Sequence, residues 1–182
     1  MPTLAGPLHA IALLLLAAGA AKLARPAGTV VALTMAGVPA RRWTARVLGA
    51  GEVAVALAAL AVGGVVPAAL LCLLHVGFAI FALRLVARAG PAASCGCFGS
   101  TGAPVTSAHV VTTAGAALLA GAAAVAEVGG VGDAVRSTPL GGVPYLALVA
   151  GLAASAHLCL TALPELQSAA GNVRALSSAE GA

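Results

Sequence analysis

Five apolar runs, at residues 4–21, 47–66, 68–87, 108–126 and 140–163, take up most of this 182-residue chain. A helix needs about 20 apolar residues to cross the hydrocarbon core of a bilayer, and each run is close to that length or beyond it. Inside hydrocarbon the backbone must satisfy its own hydrogen bonds, which a helix does within one segment. The chain is 61% hydrophobic and only 8% charged. A soluble domain carries about a quarter charged residues, so this one cannot cover a soluble surface. The expected fold is an all-α integral membrane protein, a four-helix transmembrane bundle plus a fifth transmembrane helix. Residues 1–126 read as the four-helix core, 127–164 as a connector and the fifth helix, and 165–182 as a disordered polar tail.

Prolines and charges punctuate the runs. The first ends at Lys22, Arg25 and Pro26. Residues 27–46 hold Pro39, Arg41, Arg42 and Trp43 and are too broken to span; they read as an interfacial helix or loop with Trp43 at headgroup level. Gly63, Gly64 and Pro67 predict a tight turn between the second and third runs. A loop at 88–107 follows the third run, and a Gly-rich connector at 127–139 follows the fourth. Ala117/Gly121 and Gly151/Ser155 are expected as small-residue packing sites. The first run has no Lys or Arg before it, which a secretory signal needs, so it reads as a retained helix. The basic residues do not mark a nucleic-acid partner. They flank apolar runs, and aromatic residues for base stacking are nearly absent.

With five crossings, the basic loop after the first run, the 88–107 loop and the tail share one side. The positive-inside rule then places the multi-pass chain in the plasma membrane with its amino terminus outside and the 88–107 loop cytoplasmic. Lys22, Glu52, Arg84, His109, His157 and Cys159 all fall toward that loop, with Glu52 early in the second run. Glu52 is costly inside an apolar helix. It reads either as an ion pair with Lys22 or Arg84 or as a proton acceptor. Arg84 either snorkels to the interface or favours a thiolate nearby. His109 is an interfacial helix start or an aid to thiol deprotonation. His75 and His157 read as core histidines, Cys72 and Cys159 as small apolar residues.

The 88–107 loop carries Cys95-Gly96-Cys97-Phe98-Gly99. A disulfide between residues two apart closes a very small, strained ring, and strain makes the bond labile. Gly96 relieves part of that strain through backbone angles closed to other residues. Arg84 and Arg88 would favour the reactive thiolate. The pair therefore suits exchange better than structural stapling. A soft metal is the rival, with His109 as a third ligand, yet a closed zinc site wants four ligands; no metal is assigned.

The order Ala20-Ala21-Lys22-Leu23, Pro26, Pro39, Glu52 and then Cys95-Gly96-Cys97-Phe98-Gly99 resembles the MauE (methylamine utilisation protein E) family, itself similar to DoxX-like four-helix membrane proteins. The resemblance covers residues 4–126, and the cysteine string is its specific part. Thr112 and Thr113 depart from it, standing where many members carry an Arg-Asn pair. The resemblance implies a membrane thiol–disulfide redox protein, an oxidoreductase component supporting maturation of a disulfide-rich secreted or periplasmic enzyme of the methylamine dehydrogenase type. It implies a thioredoxin-like partner beside the lipid bilayer, with Cys95 and Cys97 as the site. Lys22, Glu52, Arg84, Gly96, Phe98, Gly99 and His109 are the supporting residues. A bilayer quinone is the candidate electron carrier, with no residue assigned to it. The alternatives are a membrane assembly scaffold and a small-molecule or ion carrier.

Overall fold

The computed structural model describes residues 2–90, 96, 105 and 107–180, with residues 2, 107, 108 and those from 163 onward described by backbone alone. It is all-helical: α1 Pro2–Ala24, α2 Ala27–Met35, α3 Arg42–Ala61, α4 Val65–Ala89, α5 Ser107–Val125, α6 Val131–Ser137, a 3-10 turn at Leu140–Gly142, and α7 Val143–Glu180. Helices α1, α3, α4 and the first part of α7 are each long and apolar enough to span a membrane. With its 19 residues, α5 is about 28 Å long; it is a shorter apolar helix that packs along α4. The chain is a multi-pass membrane protein.

Short connections make sequential helices antiparallel. The Val62, Gly63 and Gly64 turn joins α3 to α4, and the Gly64 N–H donates to the Val128 carbonyl at 2.7 Å, tying that turn to the start of the connector. One core cluster joins Leu8, Ala12 and Leu15 of α1 to Ala56 and Ala59 of α3, Ala68 and Leu71 of α4, and Ala120, Ala123 and Ala124 of α5. A second, at the other end, joins Ala32 and Ala36 of the α2 end to Ala82 and Leu85 of α4 and to Val105. Early α4 thus meets late α5, and late α4 meets the segment leading into α5. In contrast, α7 lies against α1 in the same direction, through Ala10, Val149 and Ala153.

The stretch at 27–46 divides. Its first part is the short helix α2, as the interfacial reading expects; its last part is the first turn of α3. That turn forms because the Arg41 N–H donates to Thr44 Oγ1 at 3.3 Å, one half of a capping box. Trp43 stands 62% exposed there, where an amphipathic ring anchors at a headgroup boundary. The early start moves Glu52. Hydropathy puts it early in its helix, but it is the eleventh of the 20 residues of α3, about 15 Å along the axis. Hydropathy marks where a run becomes apolar, whereas capping marks where the helix begins.

Two further expectations change. Gly151 and Ser155 are exposed, and a Cβ on Gly151 would meet nothing within 4 Å. Gly121 does approach a neighbour, the Cys72 sulfur. Where the sequence reads as a disordered polar tail, the backbone continues as helix through Glu180; Ala, Leu, Glu and Arg are good helix formers even without an apolar face to bury.

Candidate functional site

The site begins where α1 crosses α3. A Cβ on Gly19 would lie 2.7 Å from the Gly49 carbonyl oxygen, and one on Gly49 would lie 2.8 Å from that of Gly19. Only glycine at both positions lets the two backbones touch. In this antiparallel crossing Gly19 is level with Glu52 and Gly49 with Lys22. Helical side chains lean toward their own N-terminus, so Lys22 and Glu52 lean toward each other. Lys22 Nζ lies 2.8 Å from Glu52 Oε2, with side-chain exposures of 5% and 0%. The ammonium also sits 5.6 Å from the Phe78 ring centroid, close enough for a cation–π contact. Glu52 Oε1 has no hydrogen-bond partner among the described residues.

Gly96 lines the same cavity as Lys22. Its φ is +61°, and a Cβ there would fall 2.4 Å from the Gly28 carbonyl oxygen. The buried Thr29 hydroxyl donates to the Gly96 carbonyl at 3.0 Å. The residue between the two cysteines is therefore pinned on α2 by backbone approach and by a hydrogen bond.

Gly96 lines one end of this cavity of about 600 Å³. Its walls come mainly from α1, α4, α5 and α7, with Thr29 and Leu33 of α2 and Leu48 of α3. Lys22, Thr29, His109, Thr112 and Thr113 share the Gly96 end, while Pro7, Ile11, Leu73 and Leu119 form the far end. His75 lines the middle. Its Nδ1 lies 2.8 Å from the Leu71 carbonyl, which only an N–H can satisfy, so its Nε2 is the acceptor. His109 is buried two residues into α5.

The fold thus brings Lys22, Gly96 and His109 to one cavity, with Glu52 bonded to Lys22 from the middle of α3. Of the two ion-pair partners open to Glu52, Lys22 takes the role. Arg84 does not join it: its Nε donates to the Ala36 carbonyl at 3.1 Å, at the C-terminus of α2, where a cation is favoured by the helix dipole. Cys95, Cys97, Phe98 and Gly99 lie outside the described residues. Cys72 and Cys159 are free thiols; Cys72 lies beside Gly121 toward the opposite end, and Cys159 is exposed on α7. Among the described residues no three His, Cys, Asp or Glu side chains gather as a metal site would require.

The family model described as Methylamine utilisation protein MauE matches residues 3–128. The chain belongs to the MauE family. No curated protein and no solved structure matches it. The MauE match spans α1 to α5 and the start of the connector, so both the Lys22–Glu52 pair and Gly96 lie within it.

Sequence reasoning passed over Thr29, Phe78 and His9. His9 is fully buried; its Nε2–H donates to the Gly129 carbonyl at 3.1 Å, which leaves Nδ1 to accept from the Tyr145 hydroxyl. It ties α1, the connector and α7 together at the end away from Lys22. A histidine inside an apolar run was the available signal, since a buried imidazole needs partners for both nitrogens.

Proposed function

We propose that this chain is a membrane thiol–disulfide exchange protein acting through Cys95 and Cys97. The observation that carries the reading is Gly96, which lies between the two cysteines in sequence, is bonded to Thr29 and lines the same cavity as Lys22. A pinned glycine at positive φ fixes the backbone at the one residue between the two cysteines, which suits reversible closure of a small ring. One cysteine thiolate attacks a partner disulfide sulfur; the other displaces the partner from the mixed disulfide. Two electrons and two protons pass from the pair to the partner, and the reverse reaction oxidises the partner. His109 and the Glu52 carboxylate supply nearby proton acceptors. In this reading the partner is a thioredoxin-like protein that matures an exported enzyme, and the process served is methylamine utilisation, the one the family description names. The loop faces the cytoplasm of a plasma-membrane protein, by charge bias.

Side-specific maleimide labelling tests this in a Cys72→Ala/Cys159→Ala background, using intact cells and inverted vesicles. Two adducts that form only after mild reduction, in inverted vesicles, are expected. Two adducts without reduction, unchanged by oxidant, would sink the reading and favour a scaffold.

A further inference from the structure

Two arginines of α4 converge on the end of α2. The Val38 N–H donates to the Leu33 carbonyl at 2.9 Å, and the Gly37 N–H donates to the Thr34 carbonyl at 2.9 Å. Helix α2 therefore closes in the left-handed turn that Gly37 allows, at a φ of +78°. The Arg84 Nε–H donates to the Ala36 carbonyl at 3.1 Å. Arg88 follows one turn later on the same face of α4. A Cβ on Gly37 would collide with Arg88 Nη1, so glycine there leaves room for that guanidinium. The two cations thus rest on consecutive residues of one turn. Neither meets a carboxylate: the ion pairs among the described residues are Lys22–Glu52 and Arg136–Asp133. Beyond the Ala36 bond, neither guanidinium donates to a described residue. Adjacent like charges repel, and an anion bridging them relieves that. Their planar N–H forks match the oxygens of a phosphate.

The surface beside them is apolar. With 9 residues, α2 is too short to cross a bilayer. Its Val31 and Met35, one turn apart, are exposed, as are Val38 just past its end and Trp43. A free phosphate would leave these side chains uncovered. A zwitterionic headgroup would bring a third cation to the two arginines. An anionic phospholipid carries both the charge and the hydrocarbon that the patch calls for.

We propose that Arg84 and Arg88 bind the phosphate of an anionic phospholipid at the end of α2, with its acyl chains over Val31 and Met35. The site is separate from the thiol-exchange reading and needs none of its residues.

The test uses the full chain in detergent, with equimolar phosphatidylglycerol and phosphatidylcholine of matched acyl chains. Native mass spectrometry reads the lipid that stays bound. The wild type is expected to hold phosphatidylglycerol about tenfold more tightly. Arg84→Gln/Arg88→Gln is expected to bind the two lipids equally. Arg46→Gln, which removes an exposed arginine of α3, is expected to keep the preference. Should the double variant lose helicity, Arg88→Gln replaces it, because that side chain is exposed; it is expected to lose most of the preference. Excess glycerol 3-phosphate is expected not to displace the lipid. Equal retention of both lipids by the wild type overturns the site. A preference that survives loss of Arg88, or one that falls as far in Arg46→Gln, overturns it as well. Displacement by glycerol 3-phosphate overturns the lipid in favour of a soluble anion.

Discussion

Lys22 and Glu52 form a buried ion pair, Nζ to Oε2 at 2.8 Å, across a crossing whose closeness is set by Gly19 and Gly49. Taking two charges out of water is costly, and their attraction offsets the cost only while both remain. Lys22→Met leaves a buried carboxylate without its cation and is expected to destabilise by about 3–5 kcal/mol. The double variant Lys22→Met/Glu52→Gln removes both charges and is expected to recover most of the loss. Thermal unfolding in detergent, followed by circular dichroism, measures this. A double variant no more stable than Lys22→Met would contradict the pairing.

The crossing itself predicts an asymmetry between glycines. Gly19→Ala places a methyl 2.7 Å from a backbone oxygen, so the helices must separate, at about 1–3 kcal/mol. Gly51, on the same helix as Gly49, has nothing within 4 Å of an added Cβ. Gly51→Ala is expected to be neutral or stabilising, because alanine is the better helix former. Equal melting temperatures for the two variants would argue against backbone contact at Gly19.

Gly96→Ala meets both a positive φ of +61° and the Gly28 carbonyl. It is expected to displace the turn and lower the rate of thiol exchange by at least tenfold, with helicity unchanged. The steric cost of a left-handed residue alone is about 1–2 kcal/mol. Thr29→Val keeps the shape and removes one hydrogen bond of about 1 kcal/mol, so a loss of several-fold is expected. Stopped-flow exchange with a reduced thioredoxin reads both, and a larger effect from Thr29→Val would reverse the assigned roles.

Cys72 lies beside Gly121, toward the opposite end from Gly96, and Cys159 is exposed on α7. Cys72→Ala/Cys159→Ala is expected to leave the reducible adduct of the remaining pair unchanged on a mass-shift gel. A lost or altered adduct would bring one of these thiols into the exchange.

The apolar helices, the Gly63-Gly64 turn and the short helix after Pro26 were legible in the order of apolar runs, charges and glycines. All of these are local or follow from counting crossings. The start of α3 was not, because it depends on Thr44 reaching back to Arg41 rather than on hydropathy.

Which residues meet was decided only in three dimensions. Helices apolar on every side carry no stripe that says which face turns inward. Arg84 and Lys22 are equally plausible partners for Glu52 along the chain. The rotation of α1 against α3 at Gly19 and Gly49 gives Glu52 to Lys22, and the C-terminus of α2 takes Arg84. The cavity, and the place of Gly96 on its wall beside Thr29, likewise arise from how α1, α2, α4, α5 and α7 pack, because the space left between helices is a property of their contacts and not of any one segment.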